Sequence, residues 1–212
     1  MATLRDRLRS LRVIIYDCDG VLVDSSRANQ AFYNHILAHF GLPPLTPEQW
    51  QVVKPLTAVA ALDYLFEGHP AREAAQEYQK TVDNTPFLPL LTPAPHLQET
   101  LARLQGHYHL AIATNRGKSL PLVLEALELT PYFDFMVTSL EVRHPKPHPE
   151  CLERVLAHFQ VPPSEACYLG DSAVDQETAA NAGVLFGAYR APHLEGDFHL
   201  ADHLDLPTLL GL

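Results

Sequence analysis

Val13-Ile14-Ile15-Tyr16-Asp17-Cys18-Asp19-Gly20-Val21-Leu22-Val23-Asp24-Ser25 is the stretch on which the reading of this chain turns. The first four residues are a short, β-branched apolar run, the pattern of a buried strand. The run stops at Asp17, and a second carboxylate, Asp19, follows two residues later. Holding two negative charges together beyond a buried strand costs Coulomb repulsion unless a cation neutralises them. Mg2+ is the natural candidate, a hard ion commonly held by one or two carboxylates plus a substrate phosphate. Gly20 lets the backbone turn sharply after the pair.

Outward from this segment, apolar blocks alternate with helical patterns. Strands are predicted at residues 109–114, 133–138, 167–170 and 184–188, with helices at 95–105, 119–127, 149–159 and 173–182. That alternation predicts an α/β, Rossmann-like core with a largely parallel sheet. Residues 26–83 break it, because no strand pattern occurs there. Ala28, Phe32, Ile36 and Phe40 recur every four residues, as one buried helix face requires, before Gly41 and the Pro43-Pro44 pair stop the helix. Further helices are predicted at 47–53, 57–66 and 70–82, so a small all-helical insert follows the first strand. Thr85-Pro86-Phe87-Leu88-Pro89 reads as an extended return linker. The expected division is a core of residues 1–24 and 86–212 and a helical cap of residues 25–85.

Three more polar segments sit at or just beyond predicted strand ends, the edge of an open α/β sheet where ligands bind. Thr114-Asn115 offers a hydroxyl and an amide to a phosphoryl oxygen. Lys146, locked in His144-Pro145-Lys146-Pro147-His148-Pro149, offers a fixed ammonium to offset crowded negative charge. Asp171 and Asp175, in Gly170-Asp171-Ser172-Ala173-Val174-Asp175, can complete a metal site or orient its ligands. Singly, each has a plainer reading: a strand-end Asp as a helix cap, a Thr-Asn pair as a turn, a lysine as a solvated charge.

Together and in this order, the four segments resemble the signature motifs of the haloacid dehalogenase superfamily, D-x-D-G-[VT]-L, T-N, K-P and G-D-S-x-x-D, with a helical cap between the first two. The pattern is most similar to the phosphoglycolate phosphatase and β-phosphoglucomutase branch. The resemblance implies that Asp17 is the nucleophile and Asp19 the general acid and then base. It implies Mg2+ held by Asp17, Asp171 and the main-chain carbonyl of Asp19, with Asp175 ligating through water or orienting its neighbours. Thr114, Asn115 and Lys146 would bind the transferring phosphoryl group, and Lys54 and Arg116 are candidates for the substrate. The implied activity is hydrolysis of a small phosphorylated metabolite, phosphoglycolate-like or a sugar phosphate, through an aspartyl-phosphate. Asp19 favours phosphate chemistry, since a departing halide needs no proton. A phosphomutase stays open as the alternative, although Asn29 and Ala58 stand where its cap histidine and arginine are expected. So does a catalytically silent binding module on the same fold.

Bulk properties agree. With 47% hydrophobic and 19% charged residues, the chain has a soluble globular composition. It has no apolar run long enough for a membrane span and no signal core in residues 1–12, so a cytoplasmic protein is expected. A net charge of −10 argues against nucleic acid as a partner. The three cysteines are expected to be reduced core thiols, and the pairs His35/His39 and His107/His109 to serve packing or surface roles. Oligomeric state is not legible.

Overall fold

Val13-Ile14-Ile15-Tyr16 does form a strand, β1 (Val13–Tyr16), and all four residues are buried because both faces of the sheet are covered. A computed structural model describes residues 3–212. Residues 1 and 2 lie outside that range, and the rest of the N-terminal stretch includes α1 (Leu4–Arg9), which precedes β1. The chain continues through β2 (Val23–Asp24) into four helices, α2 (Ser26–His39), α3 (Pro47–Val53), α4 (Ala58–Leu65) and α5 (Arg72–Thr81). It returns through β3 (Thr92–Pro93), α6 (Leu97–Leu104), β4 (His109–Ala113), α7 (Leu120–Ala126), β5 (Phe135–Val137) and α8 (Glu150–Phe159). β6 (Ala166–Gly170), α9 (Ala173–Ala182), β7 (Leu185–Tyr189), β8 (Phe198–Leu200) and α10 (Asp205–Leu210) complete it.

Six parallel strands form one sheet in the order β5-β4-β1-β6-β7-β8. β1 lies between β4 and β6, with Val13 opposite both His109 and Ala166. Strand order therefore reverses about β1, and the crevice beyond the carboxyl ends of β4, β1 and β6 is the topological switch point. Asp17, Thr114 and Asp171 each directly follow one of these three ends.

Side chains along each strand alternate between two cores. Ile14, Tyr16, Leu110, Ile112, Cys167 and Leu169 join Leu101 of α6 and Val123 of α7 in one core. Val13, Ile15, Ala111, Ala113 and Tyr168 join Val155 of α8 and Ala179 of α9 in the other. The helical insert has a third core of its own, built from Tyr33, Ile36, Trp50, Val53, Leu62 and Phe66. Local signals set its helix starts: Thr46 and Gln49 make a reciprocal cap on α3, and the Thr57 hydroxyl accepts from Ala60 N–H on α4.

β2 and β3 pair antiparallel, Val23 with Pro93 and Asp24 with Thr92, so the chain leaves and re-enters the core side by side. The return differs from expectation. Residues 85–90 form a 3₁₀ turn rather than an extended linker. Phe87 packs edge-on to Phe32 at 5.9 Å and against His35 at 6.0 Å, drawing the segment onto α2, and the φ of Pro86 and Pro89 suits a 3₁₀ turn as readily as an extended chain.

All three cysteines are buried free thiols. His35 bonds the Tyr78 hydroxyl at 3.1 Å and His39 stacks on the Tyr78 ring at 3.8 Å, which are packing roles inside the cap. Among the described residues no helix is long and apolar enough to cross a membrane.

Candidate active site

The floor of the switch-point crevice is a buried charge network. Lys146, in the loop before α8, places its ammonium 2.9 Å from Asp17 Oδ1 and 2.6 Å from Asp175 Oδ1. The aligned hydrogen bonds of that ammonium go to Asp175 and to the Tyr168 hydroxyl at 2.8 Å. Asp17 Oδ1 is left as a buried oxygen with no aligned donor. Tyr168, central in β6, also lies 2.9 Å from both the Ala113 carbonyl and Asp175 Oδ1, so one hydroxyl ties β6, β4 and α9 to the lysine. Asp175 Oδ2 accepts from the Asp171 and Ser172 N–H groups and the Ser172 hydroxyl, and Ser172 in turn caps α9. Both Asp175 oxygens are therefore engaged, which favours an orienting role for it.

Electrostatics follow from this burial. Burial, with repulsion from Asp175 and Asp19, pushes the Asp17 carboxyl up to about 7 against the pull of Lys146. Burial works against the Lys146 charge, but Asp17 and Asp175 outweigh it and hold the ammonium well above its usual range. For Asp175 burial is likewise outweighed, by Lys146, and the carboxyl is held below its usual value.

One carboxylate oxygen each from Asp17, Asp171 and Asp175 lie within 4.8 Å of one another. Burial raises the Asp171 carboxyl, and the cap residue Lys54, 3.2 Å from Asp171 Oδ2, opposes the rise. A positive side chain thus already rests on this cluster. Gly20 has φ +86°, and a Cβ there would lie 2.1 Å from Asp171 Oδ2; a Cβ on Gly170 would lie 2.2 Å from that of Asp175. Only glycine admits the carboxylates so close to the backbone. An orphaned buried oxygen, an all-oxygen donor set and excess negative charge fit a hard divalent cation.

Asp19 does not bring its carboxylate to that cluster. Arg116 Nε donates to Asp19 Oδ2 at 3.0 Å and Nη2 to Oδ1, while Ser25 Oγ and Asn29 Nδ2 also donate to Oδ1. Burial would raise the Asp19 carboxyl, but Arg116, then Ser25 and Asn29, hold it below its usual value. For metal binding, Asp19 is left with its main-chain carbonyl.

The remaining expected residues have visible tasks. The Thr114 hydroxyl accepts from Arg116 N–H at 3.1 Å, and no acceptor among the described residues takes its proton. The Asn115 amide is engaged: Oδ1 accepts from Lys146 N–H at 3.0 Å, and Nδ2 donates to the carbonyls of Lys146 and Pro55. It braces the lysine loop and touches the cap rather than pointing a free donor at a phosphate. Lys54 faces Asp171 across the crevice. Sequence reasoning missed Tyr168, whose one signal was a hydroxyl inside an otherwise apolar strand.

The haloacid dehalogenase-like hydrolase family matches residues 14–189. The chain belongs to this family. It is 37% identical to a subfamily IA hydrolase from Geobacter sulfurreducens of known structure, with a TM-score of 0.77 over 95% of this chain and 97% of that one. It is 27% identical to a pyrophosphatase, PpaX, of Bacillus velezensis, over 96% of this chain and 98% of the relative. It is 26% identical to a phosphoglycolate phosphatase of Aquifex aeolicus, over 94% and 97%. By its family and these relatives, the chain is a phosphoric monoester hydrolase.

Proposed function

We propose that the protein is a magnesium-dependent phosphatase that hydrolyses a small phosphorylated metabolite through an aspartyl-phosphate on Asp17. The observation that carries this reading is Asp17 itself: a buried carboxylate at the switch point, 2.9 Å from Lys146 and clustered with Asp171. Asp17, Asp171 and the Asp19 carbonyl would hold Mg2+, with Asp175 orienting them. Bound there, the ion would neutralise the carboxylates and polarise the phosphoryl group.

In the first step an Asp17 oxygen bonds to phosphorus as the bond to the leaving oxygen breaks, and Asp19, once it has taken up a proton from solvent or from the monoanionic phosphoryl group, gives that proton to the leaving oxygen. In the second, Asp19 takes a proton from water as the water attacks phosphorus and frees the Asp17 carboxylate. Lys146 stabilises charge on the transferring group and the Thr114 hydroxyl donates to it, because phosphoryl transfer depends mainly on positioning and charge. The pyrophosphatase and phosphoglycolate phosphatase relatives favour a compact anionic substrate.

Phosphate release from p-nitrophenyl phosphate and from a panel of phosphorylated metabolites tests the reading. Excess EDTA should silence release and Mg2+ should restore it, whereas Ca2+, larger and taking more ligands, should bind without supporting turnover. Release undiminished in chelator would remove the metal from the mechanism. Conversion of β-glucose 1-phosphate to glucose 6-phosphate with little free phosphate would instead favour a phosphomutase.

A further inference from the structure

Arg116 is in contact with the wrong partner for the reaction just described. It follows β4 and enters a cavity of about 570 Å3 that also receives Asp17, Asp19, Lys54, Lys146 and Asp171. Its side chain is 9% exposed. Every nitrogen of the guanidinium is engaged: Nε and Nη2 on the two oxygens of Asp19, Nη2 also on Asn29 Oδ1 at 3.1 Å, and Nη1 on Ser119 Oγ at 2.9 Å. Asp19 is held equally fast, since Ser25 and Asn29 add donors to the oxygen that Nη2 already contacts.

Oδ1 of Asp19 already takes three donors and Oδ2 one, so the carboxylate is held as an anion with no proton to give the leaving-group oxygen of a substrate. At least one Arg116–Asp19 contact must open first. A buried guanidinium does not give up its anion without another anion to take its place, because an unpaired buried charge is costly. The fork of N–H groups suits a planar or tetrahedral oxyanion, and its contact with the Asp19 carboxylate displays that preference directly.

We propose that Arg116 is a specificity-determining residue that exchanges anions: it holds Asp19 before substrate arrives and takes a second anionic group of the substrate afterwards, releasing Asp19 toward the leaving oxygen. The substrate class is a phosphomonoester carrying a carboxylate or second phosphate on its leaving group. An ester of a neutral alcohol leaves Asp19 clamped. This inference rests on the phosphatase reading and gives that reading its selectivity.

The test compares 2-phosphoglycolate and ethylene glycol bisphosphate with ethyl phosphate, using the magnesium-loaded full chain. The wild type should favour the doubly anionic substrates by about 100-fold in kcat/KM, the scale of a buried charge-assisted pair. The two arms tell whether the carboxylate or the second phosphate is preferred. Arg116→Ala should abolish that preference by losing turnover of the doubly anionic substrates while ethyl phosphate turnover rises, because Asp19 is no longer clamped. Arg116→Lys, which keeps the charge without the fork, should fall between. Equal loss on all three substrates in a variant with a native melting transition would make Arg116 a structural clamp and overturn the exchange.

A wild-type arm stands even where both variants unfold. Glycolate should inhibit p-nitrophenyl phosphate hydrolysis about tenfold more tightly than glycolamide, its neutral isostere. Equal inhibition would overturn the proposal. Absence of magnesium-dependent hydrolysis of every substrate would be the separate failure of the phosphatase reading.

Discussion

Two charge networks face each other across the same crevice and are built on opposite terms. The floor, Asp17, Lys146, Asp175 and Tyr168, is buried and is built from the end of β1, the loop before α8, the middle of β6 and the start of α9. The wall, Arg116, Asp19, Asn29 and Ser25, joins the loop after β4 to the loop after β1 and the first turn of the cap helix α2. Lys54 on Asp171 is a second core–cap contact, with 42% of the lysine side chain exposed. In the floor each partner is held by several others, so moving one leaves a charge buried and alone. In the wall one guanidinium and one carboxylate answer each other at the cavity, so an arriving anion can take the place of Asp19 on Arg116. The fixed network suits chemistry common to every substrate, and the exchangeable one suits selection among substrates.

The largest effect should come from breaking the floor at Asp17. On the proposed mechanism Asp17→Asn keeps the shape but would remove the nucleophile and a charged metal ligand, so phosphate release should fall by on the order of 10^4-fold. The melting temperature should not fall, because burial already disfavours charge at this position. Label from 18O-water should enter Asp17 of the wild type in a single turnover. Unaltered turnover in the Asn variant would dissolve the comparison.

Tyr168→Phe probes whether the floor works as a unit. The variant loses the bond accepted from Lys146 and the one hydroxyl proton shared by Asp175 and the Ala113 carbonyl, without losing ring volume. A drop of about tenfold in kcat with KM little changed is expected, together with about 2 kcal/mol of stability from bonds to charged partners. A loss of stability alone would reduce Tyr168 to a strut.

The loop that joins the two networks is pinned from below, and pH reports on the pin. His203 is buried and its Nε2 donates to the Val21 carbonyl at 2.9 Å, leaving Nδ1 buried and unpaired. Burial lowers its pKa to about 4 from the usual value near 6.5. The depressed value means that the unfolded chain binds the proton first as pH falls. Stability is therefore complete above about pH 6.5 and is lost progressively down to about pH 4. Between pH 7 and pH 5 this residue alone should withdraw about 2 kcal/mol. Urea midpoints at the two pH values should shift more for the wild type than for His203→Gln, and equal shifts would show that His203 is not the buried neutral group.

Much of the floor, Tyr168 excepted, could be read from sequence because its members sit in or beside local patterns. Val13–Tyr16 reads as a strand without tertiary help, and Ser172-x-x-Asp175 followed by Gly183 marks both ends of α9. The wall could not be read this way, because Arg116 and Asp19 are 97 residues apart and nothing in either segment names the other. The Asn115 amide was expected at a phosphate, yet it braces a loop 31 residues onward, a contact that depends on where β4 and the loop before α8 come together. β8 escaped notice because Phe198–Leu200 has only three residues around an exposed histidine, too short for a period-two pattern to stand out. The 3₁₀ turn at Thr85–Leu90 was hidden for a similar reason: Phe87 follows Phe32 and His35 on a helix far back in the chain, not the prolines beside it.

The smallest effect should come from Lys54, where wall and floor touch. Its ammonium lies on an oxygen of Asp171, a carboxylate that the metal would also claim. A half-exposed ion pair of this kind contributes on the order of 1 kcal/mol or less, so its removal cannot rival the loss of Asp17 or Tyr168. The direction of the change is informative. If Lys54 stands in for the cation, then Lys54→Ala frees Asp171, and the magnesium concentration for half-maximal activity should fall about threefold, within the range of such a pair. If Lys54 instead serves the substrate, KM for a doubly anionic ester should rise while the magnesium requirement stays fixed. Titrating Mg2+ at saturating substrate, then substrate at saturating Mg2+, separates the two. A magnesium requirement that rises in the variant would mean that the lysine helps to hold Asp171 in place for the ion, and the contact would then belong to the fixed network rather than the exchangeable one.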